Sequence, residues 1–209
     1  MRHTLILSAF ALAAVAFNAA LAQETTAPAP EAPAADAPAA AAEPAAEDLS
    51  LGKPAADGPG STYVEATHGD WEQRCVRTED GSDPCQLYQL LKDATGNPVA
   101  EFSVFGLPPG QQAAAGATAI VPLETLLTQD LTFQVDAGAA KRYPYSWCSP
   151  IGCIARIGFT AEEVAAMKGG VKATMTLVPV VAPDQKVVLD ISLKGFTAGY
   201  DAVNAANAP

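Results

Sequence analysis

The sequence predicts an all-β fold: a two-sheet β-sandwich with one short capping helix and two disulfides. Three observations carry this. Short apolar or alternating runs recur with turn residues between them, the pattern of sandwich or barrel strands. All four cysteines, Cys75, Cys85, Cys148 and Cys153, fall in the C-terminal three quarters of a chain that begins with an export signal. Only one segment, after Thr160, combines a helix start signal with a helix stop signal.

The first 60 residues drop out of the fold. Met1 to Ala22 reads as a cleavable signal peptide: Arg2 supplies the positive start, Leu5 to Phe17 the apolar stretch, and Ala20-Leu21-Ala22 the small-x-small cleavage site before Gln23. That stretch is too short to span a bilayer, which takes about 20 residues. The residue directly after the site is Gln23 and not cysteine, which argues against a lipid-anchored lipoprotein. Residues 23–60 hold fourteen Ala and seven Pro, scattered acids and no aromatic residue. Such a segment cannot bury a core, and prolines every few residues interrupt helix. A disordered, extended, acidic linker is expected, with a reach on the order of 100 Å. It serves as a passive spacer more readily than as a ligand for a partner.

Residues 61–209 form the expected folded domain, of a usual single-domain size. Strands are expected at Trp71 to Arg77, Cys85 to Leu91, Val99 to Phe105, Ala117 to Val121, Leu131 to Val135, Arg142 to Trp147, Cys153 to Gly158, Val171 to Val181 and Lys186 to Leu193. In the last of these, Val187, Leu189, Ile191 and Leu193 alternate with mostly polar residues, so one face is buried. Ala182-Pro183-Asp184-Gln185 supplies its hairpin turn. The helix begins with Thr160 and Glu163 spaced as a capping box and ends at Gly169-Gly170. Pro108-Pro109-Gly110 and the Ala/Gly-rich residues 111–119 suggest a loop, and a short turn starts near Pro122.

Export places the cysteines where disulfides persist. Four cysteines allow three connectivities. Short separation, with Gly81-Ser82-Asp83-Pro84 inside one loop and Pro150 and Gly152 inside the other, favours Cys75 with Cys85 and Cys148 with Cys153. Loop entropy gives these about 3 and about 2 kcal/mol respectively. A zinc site would need other spacings. A thiol-disulfide redox protein using Cys148 and Cys153 is the competing reading, but such catalysts place C-x-x-C at a helix start, and here the spacing is x4 with strand-like flanks.

Residues 61–209 carry sixteen acids and ten Lys or Arg, 10 − 16 = −6. That balance argues against a nucleic-acid partner, which calls for a basic face, and against an anionic membrane surface. No metal or cofactor set stands out. His68, beside Asp70, lacks any nucleophile-elbow pattern and reads as a surface turn residue. Glu162 and Glu163 are adjacent on a helix and point apart, while their place at its start has an electrostatic reason. Trp71 and Trp147 each neighbour a cysteine, where core packing is the bland reading. Tyr143, Tyr145 and Trp147, with Lys141 and Arg142 beside them and the turn Ser149 to Gly152 after them, form the candidate partner-binding site.

Four motifs carry a family resemblance: Gly69-Asp70-Trp71-Glu72-Gln73-Arg74-Cys75; the run from Pro122-Leu123 to Val135-Asp136-Ala137-Gly138; Tyr143-Pro144-Tyr145-Ser146-Trp147-Cys148-Ser149-Pro150-Ile151-Gly152-Cys153-Ile154-Ala155; and Ile191-Ser192-Leu193-Lys194-Gly195-Phe196. Together they resemble the invasion-associated locus B family of exported bacterial proteins, over about Gly69 to Val203. Glu124 and Asp130 depart from its usual glycines. The resemblance implies a periplasmic or secreted, envelope-associated β domain without known catalytic residues or cofactor, some members being linked to host-cell invasion. A non-catalytic module for a protein or envelope component is the function expected.

Overall fold

The computed structural model describes residues 57–208. The signal peptide and all but the last four residues of the linker lie outside the described residues.

Eleven strands form two antiparallel sheets. The larger orders β1 (Thr62–His68), β2 (Trp71–Val76), β3 (Cys85–Lys92), β4 (Pro98–Gly106), β5 (Ala115–Val121), β9 (Gly152–Phe159) and β8 (Tyr145–Ser149) side by side. The smaller orders β11 (Val187–Ser192), β10 (Lys172–Leu177), β6 (Leu131–Val135) and β7 (Lys141–Tyr143). Strict alternation builds the interface, as in β5, where Ala115, Ala117, Ala119 and Val121 are buried and the residues between them are not. An aromatic chain fills the core: Trp71 meets Phe196 at 5.4 Å and Phe102 at 6.2 Å, Phe102 stacks on Phe133 at 5.6 Å, and Phe133 meets Phe159 at 5.0 Å. The two disulfides, Cys75–Cys85 and Cys148–Cys153, join residues directly opposite each other on paired strands, as the spacing favoured.

Helix α1 (Ala161–Gly169) carries the expected capping box: Thr160 Oγ1 accepts from the Glu163 amide, and Glu163 Oε2 accepts from the Thr160 amide at 2.9 Å. A second helix, α2 (Phe196–Ala206), corrects the single-helix expectation. Four strands are too narrow to cover a seven-stranded face, and α2 packs on β2, β3 and β4 to close the remainder.

Four other differences have local causes. β1 is absent from the expected set because most of its residues are exposed, leaving no alternation to detect. The loop expected over 111–119 gives way to β5 from Ala115 on, since alanines can fill an inward row where space is short. The run Arg142 to Trp147 breaks at Pro144 into β7 and β8, which belong to different sheets; proline cannot donate to a ladder, and the chain crosses over there. The run Val171 to Val181 ends as a strand at Leu177, because the chain then pairs elsewhere: Leu126 N donates to Val178 O, and Val180 N to Glu124 O.

Candidate functional site

The polar motifs at the two ends of the domain meet in space. Trp71 Nε1 donates to Ser192 O at 2.7 Å, Gln89 bridges Asp70 O and both backbone groups of Ser192, and Ser192 Oγ donates to Asp70 Oδ2 at 2.6 Å. Gly69 and Gly195 sit back to back at positive φ; a Cβ on Gly195 would collide with His68 O. This node ties β11 and α2 to β2 and β3. It is a structural clasp, not a catalytic triad: the serine hydroxyl bonds Asp70 directly, while His68 Nε2 turns to Gln73 Oε1 at 3.3 Å. Glu162 and Glu163 likewise serve the helix start. Burial works to raise the Glu163 carboxyl, but Lys141 at 2.8 Å, the Thr160 amide and the Tyr143 hydroxyl outweigh it and hold the carboxyl below its ordinary value.

All four sulfurs are committed to the two disulfides. Cys148 and Cys153 occupy strand, turn and strand, with no helix start beside them to stabilise a thiolate, so the redox reading is not favoured.

The five residues of the candidate partner site are brought to one corner of the sandwich but divided between surface and core. Tyr143 packs edge-on to Phe159 and donates its hydroxyl to Glu163 Oε1 at 3.2 Å; burial, then the Glu163 charge, pushes its phenol up. Tyr145 is half-buried, and burial, then Asp130, pushes its phenol up to about 12. Lys141 pairs with Glu163, and Arg142 reaches Asp130 at 3.5 Å. Trp147 alone of the three aromatics is 51% exposed.

A β-bulge makes this division. Tyr145 stands opposite Ala155, but Trp147 stands opposite Ile154, one residue short of the regular register. The extra residue sends Tyr145 to the inner face and Trp147 to the outer one, where i and i+2 would otherwise share a face. No alternation rule applied to the sequence alone could have found it. Trp147 thereby ends an outer row that runs Leu90, Glu101, Ile120, Ile154, Trp147 across five strands. Beside the row lies a shallow depression of about 200 Å³ lined by Leu90, Val99, Ile120 and Ile151, the last 74% exposed at the tip of the β8–β9 turn. Trp71, by contrast, is fully buried, so the two tryptophans have opposite roles.

Fold and site together define a class: a disulfide-stapled antiparallel sandwich whose open sheet edge presents an aromatic side chain. Within that class, the chain belongs to the invasion associated locus B (IalB) family, whose sequence model matches residues 71–204. It is similar to invasion protein B homologs of two Brucella abortus strains, 2308 and biovar 1 strain 9-941, each 30% identical over 158 residues, which is 75% of this chain and 88% of the relative. Its fold is similar to the crystal structure of invasion associated protein b from Bartonella henselae, with a TM-score of 0.56 and 24% identity over 66% of this chain and 94% of that one. Among the described residues, no helix is long and apolar enough to cross a membrane.

Proposed function

We propose that this chain is an exported, envelope-associated binding module that performs no catalysis and engages a protein or envelope component through the outer face of β8. The observation that carries this is the placement of Trp147: half exposed on an outer sheet face, beside exposed Ile151 and at the end of a partly apolar row. Tryptophan at the centre of a contact is a frequent binding hot spot. The polar clusters that might have done chemistry are occupied in holding the fold, as described for Asp70, Ser192 and Glu163. The linker over residues 23–60 would hold the module away from whatever retains it. The relatives' names tie them to invasion; by the same likeness, a part in contact with a host cell is included in the proposal for this chain.

The test compares Trp147→Ala and Trp147→Phe in the exported full chain. Both should melt within about 2 °C of the parent, since an exposed side chain contributes little to stability. Retention of the alanine variant in the envelope fraction should fall several-fold, with partial recovery by phenylalanine. Undiminished retention of a folded alanine variant would overturn the reading.

A further inference from the structure

The two disulfides differ in how they are sheltered and in what they hold. Cys75 and Cys85 are both buried and join β2 to β3 inside the larger sheet, where each strand is also laddered on its other side, β2 to β1 and β3 to β4. Cys148 is exposed on β8, the last strand of that sheet, and only its partner Cys153 on β9 is buried. We propose that Cys148–Cys153 is a thiol-opened latch: small-molecule thiols of the glutathione class open this bridge ahead of the other, and opening it frees β8, with Trp147, from a sandwich that otherwise stays folded.

The chain is the target of exchange here, not its catalyst, so no activated cysteine is required of it. A thiolate from the small molecule attacks Cys148 Sγ, the sulfur on the exposed residue, and forms a mixed disulfide there. The Cys148–Cys153 bond breaks, and its electron pair passes to Cys153 Sγ, which takes up a proton. A second thiolate attacks the small molecule's sulfur in the mixed disulfide and leaves with it as an oxidised dimer. The departing Cys148 thiolate then takes up a proton. Two small thiols are oxidised and one protein disulfide is reduced. The same attack on Cys75 or Cys85 has to wait for the core around them to open, because exchange requires access to a sulfur. A chain passing from an oxidising compartment to a thiol-rich one therefore loses the β8 bridge first.

Once the bridge is open, little else holds β8. It is laddered on one side only, through four paired positions, and the bulge between Tyr145 and Trp147 interrupts even these. Pro144 and Pro150 flank it and add no backbone donor at either end. Its one inward anchor is Tyr145, whose buried hydroxyl finds no hydrogen-bond partner among the described residues. Trp147 directly precedes Cys148, so the outer-face position of its ring depends on the strand that the bridge secures. Few buried contacts and a one-sided ladder are the marks of a segment that opens locally, ahead of the fold around it. Control of partner contact by the latch rests on the binding reading above; the latch itself does not.

The test treats the full exported chain with reduced glutathione, alkylates the freed thiols at intervals and identifies them by peptide mass spectrometry. Cys148 and Cys153 should open at least about tenfold faster than Cys75 and Cys85. Amide hydrogen exchange over Tyr145–Ser149 should then quicken at least about tenfold, while β2 and β3 keep their protection. The double variant Cys148→Ser with Cys153→Ser, which retains Cys75–Cys85, should show the quick β8 exchange with no thiol added; the measurement on the parent chain stands without it. Opening of Cys75–Cys85 first, or of both bridges at one rate, overturns the proposal. So does an opened Cys148–Cys153 with β8 protection unchanged. Washing the envelope fraction with glutathione should release the parent chain several-fold. No release, although β8 has loosened and Trp147→Ala lowers retention, overturns the control of binding. Full retention of Trp147→Ala overturns the binding reading instead and leaves the latch standing on its exchange.

Discussion

Tyr145 offers a prediction of unusual sign. The bulge turns its ring inward, and its hydroxyl is buried without a hydrogen-bond partner among the described residues. A buried unsatisfied polar group costs about 1–3 kcal/mol. Tyr145→Phe removes the oxygen and keeps the ring, so the variant should be more stable at neutral pH by about 1 kcal/mol, or about 3 °C in Tm for a domain of this size. Alkali sharpens the case. Folding raises the phenol from 10.0 to about 12, so the folded chain holds a proton that the unfolded chain releases. The associated stability is complete below pH 10 and is lost as pH rises through about 12. Urea unfolding at pH 7 and from pH 9 to 12, on parent and variant, measures both effects. A variant weaker by 1 kcal/mol or more at neutral pH, with an unchanged alkaline limb, would show that the hydroxyl has a partner and that the inward placement of Tyr145 is misread.

Trp71→Ala removes the centre of the aromatic chain and the bond to Ser192 O, and should cost about 3–5 kcal/mol in chemical denaturation. Gly195→Ala places a Cβ against His68 O at a φ of +87° and should cost about 2–3 kcal/mol, with release of α2 visible as lost helical circular dichroism. For Glu163 the folded carboxyl lies below its ordinary value, so its contribution is present above the unfolded value of about 4.3 and is lost as pH falls through the folded one. Glu163→Gln should accordingly flatten the decline of Tm between pH 5 and pH 3. Reducing both disulfides under native conditions should lower stability by up to about 5 kcal/mol by the loop-entropy estimate.

Where residues 57–208 are concerned, the sequence exposed what local chemistry determines. Thr160 and Glu163 announced α1, the turn residues between the cysteines announced the pairing, and strand alternation announced most of both sheets. α2 was also within reach: Phe196, Gly199, Tyr200 and Val203 form an i, i+3, i+4, i+7 stripe. Its capping residue is Gly195, which offers no side-chain bond, and Gly199 interrupts its propensity, so the usual start signals were missing. Gly199 is there because a larger side chain would meet Leu87, a reason that exists only in the folded state. The same holds for the candidate site. Composition assembled Tyr143, Tyr145, Trp147, Lys141 and Arg142 in one stretch, but the crossover at Pro144 and the bulge after Tyr145 decide which of them reach solvent. Both are tertiary events, set by which strands the neighbours pair with.

The central claim is that partner contact occurs at the outer face of β8, and photo-crosslinking in intact cells tests it most directly. A photoreactive side chain at position 147 should yield a discrete adduct with an envelope or host component, identified by mass spectrometry as a polypeptide or envelope molecule other than this chain. The same group at position 188, equally exposed on the opposite sheet, should yield none. Adducts from position 188 with none from position 147 would contradict the account.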